Sequence, residues 1–242
     1  MECISIKNLS NQIDQLQPGD WLIVDVDDTL IAPKAMMFRH SSTFYGFLDK
    51  LKKQGCDNLA EILSTWRLNR KVMLTEEEWP EILSNLVSKD ITVLALTQMN
   101  TGKFGKIDSM EKWRATELEE LNLNFSPYGV NEIETIIEHQ EPATLYQGIL
   151  FTGSHSKAAV LEAFIKKYHT PAKIMFIDDR LHQVESIADF CNTFSLPYFG
   201  YHYLGASTLP YDQSMDFGST QTQMILNQKW SEDNQTNKIM SK

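Results

Sequence analysis

The strongest chemical signal in the sequence is the segment Asp-Val-Asp-Asp-Thr-Leu at residues 25–30, directly after the apolar residues 21–24. Side chains two apart along a strand lean to the same side, so Asp25 and Asp27 are expected to lie close together. Two neighbouring carboxylates need a cation between them, or one of them keeps a proton. The pair therefore suits a divalent metal site or a nucleophile with an acid/base partner. The structural alternative is an ordinary turn in which Asp28 or Thr29 caps a helix.

Further polar residues follow apolar runs in the same way. Thr97 follows residues 93–96 and offers a hydroxyl to a phosphate oxygen, although threonine is also common in strands. Lys157 opens a helix, where a positive charge opposes the helix dipole, so it indicates either a nearby anionic ligand or an ordinary surface lysine. Asp178 and Asp179 end another apolar run. Adjacent acids there suit a hard cation such as Mg²⁺, or simple turn and cap formation.

The elements that must position these residues are four short apolar runs, at residues 21–24, 93–96, 149–151 and 174–177. Continuous runs of this length indicate strands buried on both faces of a parallel sheet. Helical apolar patterns occupy residues 109–121 and 157–168 between them. The alternation predicts an α/β protein with an open, parallel, Rossmann-like sheet flanked by helices.

Residues 34–90 interrupt this alternation, because they show no convincing strand and several helix-like segments. The segments cover residues 43–54, 59–68 and 76–89, and Pro80 falls in the first turn of the last one, where its missing N–H is tolerated. We expect a small helical cap here, inserted between the Asp25 segment and Thr97 and folded over the edge of the sheet.

The predicted domain boundaries follow from this division. Residues 1–33 and 91–228 form the sheet domain, and residues 34–90 form the cap insert. Residues 229–242 are polar and charged, and they are expected to be a disordered tail.

The order and spacing of the motifs resemble the haloacid dehalogenase (HAD) superfamily. Asp-x-Asp-x-Thr, then Thr, then Lys, then Asp-Asp each follow an apolar strand, between residue 21 and about residue 185, some two thirds of the chain. Within that superfamily, the segment Gly-Ile-Leu-Phe-Thr-Gly at residues 148–153 and the residues around Asp178 resemble a poorly characterised branch represented in intracellular bacteria. The resemblance implies a HAD-like core with a cap and a phosphatase activity.

The resemblance also implies a role for each matching residue. Asp25 would attack phosphorus and carry an aspartyl-phosphate. Asp27 would protonate the leaving oxygen and then activate water. Thr97 and Lys157 would hold the phosphoryl oxygens. The implied reaction is Mg²⁺-dependent hydrolysis of a small phosphorylated molecule.

The Mg²⁺ site implied by the resemblance consists of acidic residues. The Asp25 carboxylate, the Asp27 main-chain carbonyl and Asp178 would bind the ion, with Asp179 as a further ligand or as a neighbour of one. The chain departs from many relatives at Gln183, where they carry Asn before Val. The longer amide can still orient the acids.

Three other functions fit parts of this pattern. A phospho-signalling receiver domain uses similar residues, but its acidic pair comes first and its length is about half of this chain's 242 residues. A HAD-fold module that binds phosphate, metal or another protein without turnover would not need both Asp25 and Asp27. A phosphotransferase with an acceptor other than water fits the same residues as a phosphatase does.

Composition narrows the choice of partners and compartment. The 22 Lys and Arg against 32 Asp and Glu give a net charge of −10, which disfavours binding to a nucleic-acid backbone. No apolar stretch is long enough for a membrane span, and the first twenty residues lack the apolar core of a secretory signal. Three unevenly spaced cysteines indicate reduced thiols. We expect a cytoplasmic protein, although the sequence leaves its oligomeric state and a signal-less export route open.

Overall fold

Helices and strands are described for residues 1–35, 39 and 58–210 by a computed structural model. In chain order, the strands are β1 (Glu2–Cys3), β2 (Asp20–Val24), β3 (Ile31–Pro33), β4 (Val72–Leu74), β5 (Thr92–Thr97), β6 (Glu134–Ile137), β7 (Ala143–Tyr146), β8 (Ile149–Phe151), β9 (Lys173–Asp178) and β10 (Tyr198–Tyr203). The α-helices are α1 (Ser10–Asp14), α2 (Leu59–Asn69), α3 (Trp79–Ser88), α4 (Met110–Glu119), α5 (Lys157–Lys167) and α6 (Leu181–Thr193). Short 3-10 helices cover Ile6–Leu9 and Gly205–Thr208. None of these described helices combines the length and apolarity that a membrane crossing requires.

Eight of the strands form one mixed, mostly parallel sheet in the order β1-β10-β9-β2-β5-β8-β7-β6. Neighbouring strands from β1 to β8 in this order are parallel, whereas β7 and β6 each run antiparallel to the strand before. The four strands that the apolar runs predict are β9, β2, β5 and β8, which lie side by side at the centre. The predicted α/β class, with a mainly parallel sheet flanked by helices, is confirmed, and the antiparallel strands are an addition that the sequence did not indicate.

The central strands are buried on both faces, as their continuous apolar runs require. All five residues of β2 are buried. Trp21 and Ile23 belong to a core cluster that also holds Phe164 of α5 and Ile187 of α6, so these helices cover that face. Because side chains alternate along a strand, Leu22 packs on the opposite face. Burying each such large apolar side chain stabilises the fold by roughly 1.5–3 kcal/mol.

The register of β2 and β9 brings two acidic strand ends together. Val24 is paired with Ile177, and the Asp25 N–H donates to the Ile177 carbonyl oxygen at 2.9 Å. The next residues on the two strands are Asp25 and Asp178. Both continue the alternation of side chains that face α5 and α6, so their carboxylates lie on the same face as the start of α5.

Serine caps fix where α4 and α5 begin. The Ser109 hydroxyl accepts a hydrogen bond from the N–H of Lys112, and the Ser156 hydroxyl accepts one from the N–H of Ala159, each at 3.2 Å. Such caps satisfy backbone donors that have no partner inside the helix. Lys157 is therefore held as the first residue of α5.

The buried face of α4 differs from the one that its apolar residues predict. The sequence favours Trp113, Leu118 and Leu121 as the core side, yet only Leu118 is buried. Arg114 and Glu111 are buried in their place. Glu111 accepts hydrogen bonds from Gly102 and Thr144, and Arg114 donates one to Asp27. An apolar pattern does not reveal such partners.

The predicted insert contains helices and one unexpected strand. The helices predicted at residues 59–68 and 76–89 are confirmed as α2 and α3, with Pro80 in the first turn of α3. Strand β4 pairs with β3, and its three residues are too few to give an alternation signal. The helix predicted at residues 43–54 and the tail at residues 229–242 lie outside the described residues.

Cα proximity divides the chain into two units. The first comprises residues 1–31, 74–102 and 109–208, and it contains the eight-stranded sheet. The second comprises residues 32–73, 103–108 and 209–242. In its described part, the Lys106 N–H donates to the Ser64 hydroxyl of α2 at 2.9 Å. Helix α3 groups with the sheet, and the cap boundaries at residues 34 and 90 stay a prediction.

A tight turn sets the register of β7 with β8. Strand β8 is the one that leads towards Lys157. Tyr146 pairs with Ile149, which leaves Gln147 and Gly148 as a two-residue loop. Their φ angles of 50° and 73° are both positive, as in the type I′ turn that suits β-hairpins. A Cβ atom at Gly148 would lie 2.5 Å from the carbonyl oxygen of Ser126, so the turn requires glycine for space as well as for conformation.

We expect Gly148→Ala to lower the free energy of unfolding more than Gly102→Ala does. Gly102 also has a positive φ, but nothing lies within 4 Å of a Cβ atom there. The backbone conformation alone costs about 1–3 kcal/mol for a residue with a side chain. The contact with Ser126 adds to that cost only at Gly148. Urea unfolding of the two variants measures the difference, and equal losses would contradict the close packing of this turn.

Candidate active site

The residues that the motifs single out lie at the carboxyl edge of the central strands. Asp25 follows β2, Thr97 ends β5, Asp178 ends β9, and Lys157 begins the helix after β8. A cavity of about 40 Å³ opens at this edge. Its lining residues are Asp25, Asp27, Thr97, Gln98, Lys157, Asp178, Arg180 and Gln183. Open parallel sheets bind ligands at this edge, so the position fits a functional site.

A buried network of three charged side chains, Lys157, Asp25 and Asp178, forms the centre of the site. Lys157 Nζ donates to Asp25 Oδ1 and, at 2.6 Å, to Asp178 Oδ2. The side chain of Lys157 is 2% exposed and that of Asp178 is fully buried. Burial lowers the pKa of the Lys157 ammonium, but the two carboxylates more than offset this, so its pKa lies above the ordinary value. Lys157 therefore stays charged between the two aspartates.

Asp179 brings a third carboxylate to the same place. One oxygen each of Asp25, Asp178 and Asp179 lies within 4.8 Å of the others. Burial raises the pKa of Asp25 to about 7, and the charge of Asp178 adds to the rise while Lys157 opposes it. Burial also raises the pKa of Asp179 to about 8, together with the charges of Asp25 and Asp178. Asp25 and Asp179 thus resist being ionised together.

This donor set fits a divalent cation. Three ionised carboxylates beside the single ammonium of Lys157 leave two negative charges, which an ion such as Mg²⁺ would neutralise. Carboxylate oxygens are also the ligands that Mg²⁺ prefers. The residues that would hold the ion are Asp25, Asp178 and Asp179.

Thr29 connects the first motif with the last. Its hydroxyl accepts a hydrogen bond from the Asp179 N–H at 3.1 Å and lies 3.5 Å from Asp25 Oδ2. Thr29 lies in a tight turn. Asp28 has a φ of 61°, and the Leu30 N–H donates to the Val26 carbonyl oxygen across the turn. Sequence reasoning offered Thr29 only as a possible helix cap, although its place in the motif was a usable signal.

Asp27 lies apart from the three-carboxylate cluster. Its side chain is 46% exposed, and its Oδ2 accepts a hydrogen bond from Arg114 Nη2 at 2.7 Å. Asp25 and Asp27 both line the cavity, but of the two only Asp25 contacts Lys157. Sequence reasoning missed Arg114, since nothing near it in the chain indicates a partner 87 residues away.

Gln183, which stands where many HAD relatives have Asn, is bonded to a second glutamine. Gln183 Nε2 donates to Gln98 Oε1 at 2.9 Å, and both residues line the cavity. Asp178 Oδ1 instead accepts a hydrogen bond from the Arg180 N–H at 2.8 Å. The backbone at the start of α6 therefore orients Asp178.

We expect Mg²⁺ to stabilise the chain more at high pH than at low pH. Asp25 and Asp179 have higher pKa values in the folded chain than in the unfolded one, so without a cation the folded chain holds more protons. The free energy of unfolding then falls as the pH rises from about 4 to about 8. Mg²⁺ bound to the ionised carboxylates would offset this loss. Melting temperatures with and without Mg²⁺, at about pH 5.5 and about pH 8.5, measure the effect.

The matched variants for that measurement are Asp178→Asn and Asp14→Asn. Asp178→Asn removes a member of the cluster and should abolish the stabilisation by Mg²⁺. Asp14 is exposed on α1, and its substitution should leave the stabilisation unchanged. A Mg²⁺ effect that survives in Asp178→Asn would show that the ion binds elsewhere.

Two solved structures align with much of the chain, but loosely. They are the HAD domain of the effector protein Lem4 from Legionella pneumophila and an inactive mutant of that domain, each 9% identical to this chain. The alignments cover 87% of this chain and 96% and 95% of those chains, with TM-scores of 0.39 and 0.38.

Sequence comparisons give a firmer assignment. An uncharacterised protein of Rickettsia prowazekii (strain Madrid E) is 26% identical over 250 residues, which cover 100% of this chain and 89% of that protein. A Chlamydia pneumoniae protein, provisionally named an outer membrane protein, is 27% identical over 210 residues, which cover 84% of this chain and 76% of that protein. The family model described as "Protein of unknown function (DUF2608)" matches residues 2–237. The chain therefore belongs to the DUF2608 family.

Proposed function

We propose that this chain is a Mg²⁺-dependent phosphohydrolase of the HAD type that acts on a small phosphorylated molecule. The observation that carries the proposal is the buried lysine at the carboxyl edge of the sheet, bonded to Asp25 and Asp178 beside Asp179. A carboxylate nucleophile, a fixed cation and further carboxylates for a metal ion are what phosphoryl transfer through an aspartyl-phosphate needs.

In the first step, an Asp25 carboxylate oxygen attacks phosphorus. A new O–P bond forms, and the bond between phosphorus and the ester oxygen breaks. Asp27 gives its proton to the leaving oxygen, so the product departs as a neutral alcohol or phenol. The Lys157 ammonium lies next to Asp25 Oδ1, where it offsets negative charge on the phosphoryl oxygens. Thr97, which lines the same cavity, would donate its hydroxyl hydrogen to one of them.

In the second step, water releases the phosphoryl group from Asp25. The Asp27 carboxylate takes a proton from the water as its oxygen attacks phosphorus. The bond between phosphorus and Asp25 breaks, which frees inorganic phosphate and restores the carboxylate. The proton on Asp27 is then in place for the next substrate.

The metal ion in this proposal would be held by the acidic residues of the site. Asp25, Asp178 and Asp179 would hold Mg²⁺, together with the main-chain carbonyl of Asp27. When bound, the ion supplies positive charge that favours phosphate binding and keeps the carboxylates ionised.

The selection of substrate is proposed to lie with the helical insert. The insert follows the first motif directly, which is where a cap over the site would be connected. A net charge of −10 gives no support for nucleic acid as the phosphorylated partner. We therefore propose a small phosphorylated molecule, free in the cytoplasm.

We expect the purified chain with Mg²⁺ to release inorganic phosphate from an aryl phosphate. Asp25→Asn should lower the rate by roughly 10³-fold or more, because no other group can replace the nucleophile. Asp27→Asn should lower it by about 10²–10⁴-fold, because proton transfer is lost. A phosphate assay on the three proteins measures both effects, and Asp14→Asn serves as the control with an unchanged rate.

The same assay separates the competing functions. Failure of the wild-type chain to turn over any member of a broad phosphomonoester panel would favour a binding module. Product formation without free phosphate, in the presence of an alcohol acceptor, would identify a phosphotransferase. Activity retained in Asp25→Asn would contradict the nucleophile.

A further inference from the structure

We propose that Arg114 is a positioning residue that holds the Asp27 carboxylate at the cavity, apart from the Asp25, Asp178 and Asp179 cluster. This inference rests on the proposed function, in which Asp27 transfers protons. No motif includes Arg114, which lies in the middle of α4. Its contact with Asp27 therefore adds a residue to the site that the HAD-like pattern does not contain.

The guanidinium group of Arg114 is fixed from two sides. Nη2 donates to Asp27 and Nη1 donates to Glu117, one turn further along α4, both at 2.7 Å. The Arg114 side chain is 3% exposed, and that of Glu117 is 10% exposed. Its neighbours Ala115 and Leu118 are buried, so the helix itself is anchored. A planar guanidinium held in this way presents its N–H groups in one direction.

Asp27 needs such an anchor more than the other aspartates do. Its side chain is 46% exposed, whereas that of Asp25 is 9% exposed and that of Asp178 is fully buried. Lys157 is bonded to Asp25 and Asp178, whereas Arg114 places a positive charge next to Asp27. Without the Arg114 contact, the metal ion and Lys157 would attract this exposed carboxylate more effectively. Movement towards either would take it away from the leaving oxygen.

The site therefore has two buried cations with separate tasks. Lys157 lies between Asp25 and Asp178, the residues of nucleophilic attack and metal binding. Arg114 lies between Asp27 and Glu117. This division keeps the proton-transfer group and the nucleophile from sharing one counterion, although they are only two residues apart.

The test is a double-mutant cycle on kcat and KM with the full chain, an aryl phosphate and Mg²⁺. Arg114→Met should lower kcat by about 10–100-fold, the loss expected when a catalytic group is displaced by an ångström or so, and change KM by less than about twofold. Combined with Asp27→Asn, it should cause no further loss, because it acts through Asp27. Lys112→Met, at an exposed position on the same helix, is the control and should leave kcat unchanged.

Glu117→Gln provides a second variant in case Arg114→Met fails to fold. It is isosteric, keeps Arg114 and loosens only its anchor, so we expect a smaller fall in kcat with KM again unchanged. A kcat that stays at the wild-type value in both variants, or in the only one that folds, overturns the inference while the proposed function stands. Losses that multiply with Asp27→Asn overturn it too, since Arg114 would then act by another route. An inactive wild-type chain overturns the proposed function, and the role of Arg114 falls with it.

Discussion

A single buried lysine holds the candidate site together. Lys157 joins Asp25 and Asp178, which lie at the carboxyl ends of two adjacent parallel strands. None of the three is exposed enough for water to stabilise its charge. Removing one partner from a buried ion pair of this kind costs about 3–5 kcal/mol, because the remaining charges stay buried without compensation. The register of β2 with β9 and the cap that begins α5 both matter because they bring these charges together.

Only a few of the chain's acidic residues belong to the candidate site. The net charge of −10 raises the question of whether the carboxylates gather around a metal ion. Only Asp25, Asp178 and Asp179 do so among the described residues, and each is at or next to the end of a central strand. Asp27 instead forms an ion pair with Arg114. Most of the acidic surplus therefore belongs to the surface and carries no information about the site.

Sequence patterns predict the centre of this protein better than its edges. The four central strands are continuous apolar runs, and the acids that follow two of them in the sequence lie at one edge of the sheet. Strand β6 is only partly buried, and β1 has two residues, so neither has a pattern strong enough to recognise. Arg114 escapes prediction for another reason. Its partner Asp27 is 87 residues away, and only the folded sheet brings them into contact.

The central claim is that Asp25 accepts the phosphoryl group. The most direct measurement is rapid mixing of the chain with an aryl phosphate and Mg²⁺, followed by acid quench and mass spectrometry of the peptide that contains Asp25. The account predicts a transient phosphate on Asp25 in the wild-type chain that is absent from Asp25→Asn. Release of inorganic phosphate with no phosphate on Asp25 at any time point would contradict it.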